Sequence, residues 1–219
     1  MPIAFDSSNK YTACVSGTSC TYSFTNTAGN FIVNSSTSYT TDPGVTTMTY
    51  AGSSMTQIGS NQTLLATYQY VFYKAAAATG ANNIVTTTTN SLTNGFYDHV
   101  LSYSGTHSTS PVANSIQSTV SATTSWSITP TITTTATSWA VALTASNLGR
   151  THSAGANTIQ RDGDSQGWLF DSNGIASSSP WTLNFTSASA DNVLNTAFEL
   201  KAPVSNITNT AFLLNFINV

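Results

Sequence analysis

At 219 residues the chain is long enough for one large β domain or two small ones, and one domain is the simpler expectation. Five basic against eight acidic side chains, a net charge of −3, provide no basic surface of the kind that nucleic-acid binding requires. Only 6% of residues are charged and 40% are hydrophobic, so hydroxyl and amide side chains must supply most of the polar surface.

Strands are predicted along the whole first half, because apolar and polar residues alternate between turn residues. The clearest is residues 64–74, where alternate side chains from Leu64 to Phe72 share one face. Residues 74–80 look helical but are too short to be stable alone, so they are interpreted as a connection. Weaker candidate strands are residues 3–5, 20–24, 31–34, 45–50, 83–88 and 96–104.

Two further strands stand out in the second half. Residues 138–145 place Trp139, Val141 and Leu143 on one face and small side chains on the other. Residues 180–186 alternate so regularly that they predict a half-buried antiparallel strand. Weaker candidates are residues 116–121, 126–133, 168–170 and 194–200. So many short strands, rich in β-branched Thr, predict an all-β, antiparallel, jelly-roll-like β-sandwich over residues 1–203.

After Pro203 the sequence changes character. A polar link over residues 204–210 leads into residues 211–219, a terminal extension strand with apolar side chains on both faces: Phe212, Leu214 and Phe216 on one, Leu213, Ile217 and Val219 on the other. Such a strand is stable only when both faces are covered and its edge is paired. Two alternatives remain, that this strand folds back onto its own domain, or that residues 1–6 are the segment donated to another copy.

Cys14 and Cys20 enclose five residues, a spacing that fits a small disulfide loop at a hairpin end, with two unpaired thiols as the alternative. An even number of cysteines in a charge-poor chain fits an oxidising exterior, and zinc would need further ligands nearby. Residues 1–6 lack the basic start and apolar core of a signal peptide, and no run is long enough to span a membrane. We therefore expect a removed leader, or export that uses none.

No arrangement of residues predicts an enzyme. Asp98, His99 and Ser102 contain the residue types of a nucleophilic triad, but Asp98 and His99 are neighbours in a strand and must point to opposite faces. Glu199 is the only Glu, so a pair of glutamates for glycoside hydrolysis is absent. His107 and His152, like His99, lack metal-ligand spacing.

Metal, cofactor and glycan sites are the remaining candidates. Asp162 and Asp164 begin like a calcium loop, but Asn173 stands where the bidentate Glu is required, so we predict a plain turn and no metal or cofactor. Trp168, beside this turn, is the aromatic residue to check for exposure as a sugar platform. Four sequons make candidate N-glycosylation sites: Asn34, Asn61, Asn184 and Asn206.

Five segments together carry a resemblance to a known family: residues 3–6, 45–56, 73–85, 102–105 and 197–201. They resemble Thr/Ser-rich, jelly-roll-like sandwich domains found in environmental bacterial surface proteins and phage structural proteins. The resemblance covers about residues 2–202 and implies no catalytic residue. It also implies that residues 3–6 and 197–201 mark the two ends of one complete domain, so that the strand after Pro203 is similar to the donated strand of filament subunits.

The resulting expectation is a non-catalytic structural subunit, extracellular or on the cell surface, that polymerises with copies of itself by head-to-tail strand donation. Its partners would be other copies and covalent glycans, with neither nucleic acid nor membrane. The alternatives are a phage tail or capsid-surface protein, located in a virion, and a carbohydrate-binding module.

Overall fold

The computed structural model describes residues 1–12, 14, 16–39, 41–92 and 96–203, and these residues form strands, turns and loops without a helix. The strands are β1 (Ala4–Thr12), β2 (Ser19–Asn26), β3 (Phe31–Tyr39), β4 (Val45–Tyr50), β5 (Ser53–Ser54), β6 (Thr56–Gln57), β7 (Gln62–Leu64), β8 (Thr67–Ala75), β9 (Gly80–Thr88), β10 (Phe96–Ser104), β11 (Val112–Ile128), β12 (Trp139–Ser146), β13 (His152–Ala154), β14 (Ile159–Gly163), β15 (Gly167–Asp171) and β16 (Leu183–Leu200).

The strands form three antiparallel sheets. The middle sheet has the order β1-β10-β3-β8, and both β6 and β7 pair with β8. The outer sheet has the order β2-β9-β4-β5. The long-strand sheet has the order β11-β16-β12-β15-β14, and β13 pairs with the first part of β16. The all-β antiparallel sandwich is therefore confirmed, whereas its jelly-roll character stays a prediction.

The middle sheet is covered on both faces, which explains the sequence of β3. Phe31 and Val33 point into a core shared with the long-strand sheet, where they meet Leu143 and Phe198. Ile32 points the other way, into a core shared with the outer sheet. Every residue of β3 from its first Phe to the penultimate Ser is consequently buried, although five of these eight residues are polar.

A third core lies on the other face of the long-strand sheet. Trp126 on β11, Trp168 on β15 and Phe185 on β16 pack together there, and Ile132 and Ala176 from two long loops complete the cover. All eight residues of β12 are buried between this core and the one shared with the middle sheet. The small side chains on the second face of β12 therefore line a packed interior.

Several predicted strands change length or divide. Residues 64–74 are predicted as one strand, but a turn interrupts them, with Leu65 at a φ of 54°, so that β7 and β8 form a hairpin. Residues 116–121 and 126–128 belong instead to a single strand, β11, and residues 183–186 and 194–200 to a single strand, β16, so the predictions for residues 129–133 and 180–182 as strand are wrong. Residues 76–79 connect β8 to β9, a shorter connection than the predicted residues 74–80.

The start of the chain packs into its own domain. β1 pairs with β10, and Ile3 is buried in the core between the middle and long-strand sheets. A Cβ atom at Gly105, whose φ is 65°, would lie 1.9 Å from the carbonyl oxygen of Pro2, so this turn fits closely around the first residues. In the structure Ile3 and β1 therefore pack within their own subunit.

Candidate functional site

The outer edge of β11 is the longest unpaired strand edge among the described residues. In the described part of the chain, β16 is the only strand that pairs with β11, so the other edge of this 17-residue strand is open. Most of its side chains are exposed or half-buried, and it contains no charged residue and no proline. Natural proteins commonly protect such edges with charge, proline or bulges. Here only bulges are used.

Three register shifts interrupt the pairing of β11 with β16, and the first two are bulges that contain a residue with positive φ. The register with β16 shifts at Asn114, whose φ is 47°, and again at Ala122, whose φ is 50°. Asn114 Nδ2 donates to Glu199 Oε2 at 2.9 Å, and the amide of Ala122 donates to Asn192 Oδ1 at 3.0 Å. Each bulge is therefore fixed to β16, and the straight stretch between them stays accessible.

Glu199 organises the region where the start of β11 meets the end of β16. Besides the Asn114 amide, its carboxylate accepts hydrogen bonds from Thr133 Oγ1 at 2.6 Å, the amide of Thr134 at 2.9 Å and Ser138 Oγ at 2.7 Å. Burial raises the pKa of Glu199, but these hydrogen bonds outweigh it and hold the pKa below its usual value. The carboxylate is fully engaged, as a structural anchor requires.

The chain leaves β16 beside an apolar groove. The amide of Lys201 donates to the carbonyl of Pro111 at 2.8 Å, next to the first residue of β11. The groove, about 270 Å³ in volume, is lined mainly by Met1, Pro2, Trp139, Ile175, Ala202 and Pro203. The whole candidate donor strand lies outside the described residues: Phe212, Leu213, Leu214, Phe216, Ile217 and Val219.

The predicted disulfide is present, since Cys14 and Cys20 are bonded to each other with their Cα atoms 5.6 Å apart. It borders a cavity of about 170 Å³ that is also lined by Tyr11, Tyr22 and Asp98. The disulfide therefore closes one end of the contact between the outer and middle sheets.

Asp98, His99 and Ser102 do not form a catalytic group. Asp98 points toward the outer sheet, where it accepts hydrogen bonds from Asn34 Nδ2 at 2.7 Å and from Ser36 Oγ. His99 points the other way, with Nε2 3.1 Å from Asp164 Oδ1 but poorly directed for a hydrogen bond. Ser102 donates to Asp6 Oδ2 at 2.8 Å. Burial raises the pKa of Asp98, and its amide and hydroxyl donors only partly oppose this.

A buried polar group that the sequence did not reveal lies beneath β11. His152 Nε2 is 2.8 Å from Asp191 Oδ2, and its Nδ1 is 3.0 Å from Thr144 Oγ1. Burial lowers the pKa of His152, although Asp191 opposes it. Burial raises the pKa of Asp191, but hydrogen bonds from His152, Ser146 and the amide of Leu148 lower it overall. With both side chains fully buried and satisfied, this group is structural.

Trp168 is not available as a sugar platform. It is 2% exposed and its ring stacks on His152, with the ring centroids 4.0 Å apart. The turn at residues 162–167 packs against the indole of Trp168, because a Cβ atom at Gly163 would lie 2.1 Å from that ring. Asp164 caps this turn by accepting from the amide of Gln166 at 2.8 Å. Among the described residues no group of three or more His, Cys, Asp or Glu side chains is arranged to hold a metal ion.

The four sequons differ in accessibility. Asn34 is wrong as a glycosylation site in the folded protein, because it is completely buried and its amide nitrogen already donates to Asp98 and Ser36. Asn61 is exposed, and Asn184 is half-buried with its amide donating to the carbonyl of Ala156 at 3.0 Å. Asn206 lies outside the described residues.

None of the described residues forms a helix long and apolar enough to cross a membrane. Comparison of the chain with protein-family models, with curated proteins and with solved structures found no match to any of the three.

Proposed function

We propose that this chain is a non-catalytic structural subunit that polymerises head to tail into an extracellular filament, with residues 211–219 of one copy added as a strand to the next. The observation that supports the proposal is that, among the described residues, side chains from Ile3 to Ala202 already form three packed cores. Phe31, Phe198 and Leu200 are fully buried in them. The described strands therefore supply a packed interior, and we assign the segment after Pro203 to a second copy.

The physical reason for donation is the composition of that strand. Residues 211–219 contain no charged side chain and have large apolar side chains predicted on both faces. Burial of one such side chain is more favourable than exposure to water by about 1.5–3 kcal/mol. Binding to a second copy would bury these side chains, and added backbone hydrogen bonds would contribute further. A head-to-tail contact of this type propagates as a fibre when its geometry does not close into a ring.

The surface supports an exterior location for the filament. With 6% charged residues, the exposed faces rely on Thr, Ser and Asn side chains, which do not titrate at ordinary pH. The Cys14–Cys20 disulfide fits an oxidising environment. Asn61 is the accessible sequon at which a covalent glycan would be accommodated without change to the fold.

Electron microscopy of the purified chain, alongside a variant that ends at Pro203, tests this function. We expect fibres from the full chain and a folded monomer from the shortened one, because its cores are intact. A matched control keeps the length and replaces Phe212, Leu214, Phe216 and Ile217 by Ser, which should also abolish fibres. Long polymers from the shortened variant would contradict strand donation, and virion-like particles would favour the phage alternative.

A further inference from the structure

We infer that the acceptor of the donated strand is the outer edge of β11 in a second copy of the chain. This inference rests on the proposed function and assigns its second half, the surface to which residues 211–219 bind. An extended peptide that adds to an open sheet edge gains affinity from backbone hydrogen bonds and specificity from side-chain contacts on both sides. The choice of β11 comes from comparing the edges that the three sheets present.

The other edges are short or occupied. β5 and β6 have two residues each and β7 has three, too few for a nine-residue partner. β2 is longer, but side chains of β1 already hydrogen-bond to its edge: Ser7 Oγ donates to the carbonyl of Thr25 at 3.2 Å, and the Tyr11 hydroxyl donates to that of Ser23. An incoming strand would have to displace these contacts.

β1 and β14 lie beside each other and share contacts. Ser8 Oγ donates to the carbonyl of Arg161 at 3.5 Å, and Lys10 Nζ donates to that of Gly163 at 3.1 Å. These hydrogen bonds join the middle sheet to the long-strand sheet on this side of the molecule. β11 also contacts another segment, because the side-chain amide of Gln117 exchanges hydrogen bonds with the backbone of Ser60 at 3.0 and 2.7 Å. This contact uses a side chain, so among the described strands β11 is the long edge whose outer backbone groups are not covered by side chains of a neighbouring strand.

The side chains of β11 suit an apolar, uncharged partner. The strand has no Lys, Arg, Asp, Glu or Pro to oppose pairing, and its exposed hydroxyls tolerate a neighbouring strand. Ile116 is 39% exposed, one of few large apolar side chains on the described surface that are more than a third accessible. It lies between the two bulges, where it can contact the Phe and Leu side chains of an added strand.

The geometry favours a second copy over the same copy. Every strand pair described is antiparallel, and β16 ends beside Val112, at the start of β11. To run antiparallel along its own β11, a nine-residue strand would have to begin about 27 Å up the edge. The eight steps from residue 203 to residue 211 span about 26–29 Å, so the polar link would reach only when fully extended. A strand from another copy has no such limit.

The test uses the full chain with two added charges on β11, Ile116→Lys together with Thr119→Lys. The matched control is Asn83→Lys together with Thr87→Lys, at exposed positions on β9, a central strand whose two edges are already paired. Sedimentation and electron microscopy measure polymer formation against concentration. We expect the β11 variant to need a concentration at least about tenfold higher than wild type, and the control to match wild type.

The outcomes separate this inference from the proposed function. If the β11 variant polymerises as wild type does while the variant ending at Pro203 does not, donation holds and β11 is the wrong acceptor. If wild type forms a closed dimer that the β11 charges dissociate, β11 is the acceptor and the filament is wrong. A wild-type chain that stays monomeric at every concentration would overturn both. A circular dichroism spectrum unchanged from wild type verifies that the β11 variant is folded.

Discussion

The two edge strands of the long-strand sheet, β14 and β11, differ in how their outer edges are protected from pairing. β14 is five residues long, carries Arg161 and Asp162, and has two of its carbonyls hydrogen-bonded by side chains of β1. β11 is 17 residues long and uncharged, and its pairing with β16 is interrupted only by register shifts near Asn114, Ala122 and Thr123. Because an unprotected edge invites pairing, the difference shows which edge of this sheet is covered within the described chain, the closed edge at β14, and which is not, the open edge at β11.

The largest effect is expected at the closed edge, from Arg161→Ala. Arg161 Nε and one terminal nitrogen bind the two oxygens of the fully buried Asp171 at 2.7 and 3.0 Å, and the guanidinium lies over the ring of Phe5 at 4.7 Å. Its removal leaves a buried carboxylate without its cation. We expect a loss of about 3–5 kcal/mol in the free energy of unfolding, measured by urea titration of the chain ending at Pro203.

Arg150→Ala is the matched control for this change. Arg150 is exposed, and none of the described hydrogen bonds or ion pairs uses its side chain. Its replacement should alter the free energy of unfolding by less than about 0.5 kcal/mol. Equal losses for the two variants would mean that the Arg161–Asp171 contact does not hold the closed edge.

A moderate effect, dependent on pH, is expected beneath the open edge. His152 has a pKa below 6.5 in the folded state, so as the pH falls below 6.5 the unfolded chain takes up a proton before the folded one does. The contribution of neutral His152 to the free energy of unfolding is therefore fully present above pH 6.5 and is lost as the pH falls through the lowered pKa of His152. The lowered pKa of Asp191 adds a further loss below pH 3.8.

His152→Gln should remove the loss that begins near pH 6.5, at a cost of about 1–3 kcal/mol at neutral pH, because Gln cannot reproduce both hydrogen bonds. His107→Gln, in the loop before β11 and outside this buried group, should leave the acid loss in place. Urea titrations between pH 4 and 8 measure both. An acid loss that persists unchanged in His152→Gln would show that His152 is not its source.

The smallest effect is expected at the second bulge of β11. Ala122 has a φ of 50°, a backbone conformation that disfavours any residue with a Cβ atom, so Ala122→Gly should raise the free energy of unfolding by about 0.5–1 kcal/mol. Ala113→Gly, on the same strand but without a positive φ, should lower it by a similar amount. Thermal unfolding distinguishes the two, and a decrease in both would show that the bulge stores no strain.

Much of the fold was predictable because burial in a sheet follows local alternation. β4 and β10 have the predicted bounds, and Leu183 and Phe185 point inward as the pattern of residues 180–186 indicates. The central strands were harder. β3 and β12 are buried on both faces although many of their side chains are polar or small. Nothing in their own sequences shows that a second layer covers them.

The candidate site was less predictable, since it depends on contacts between distant residues. His152 and Asp191 are 39 positions apart, and the pairing of β13 with β16 brings the two strands together. The sequon at Asn34 looked like a modification site because its role as a donor to Asp98, 64 positions away, has no local signature. Likewise, β14, a short and charged strand, is not predicted by its sequence. The outer edge of β11 is recognised as unpaired only from the positions of the other described strands.

The placement of β16 has a mechanical consequence. It is 18 residues long, and over its last part it lies between β11 and β12, with the chain leaving directly from its end beside Pro111. A pull on residue 203 acts along the strand axis, whereas the ladder hydrogen bonds on both sides run across it. Tension is then shared by many bonds loaded in shear at once, so the subunit resists stretching at the point where its neighbour would hold it.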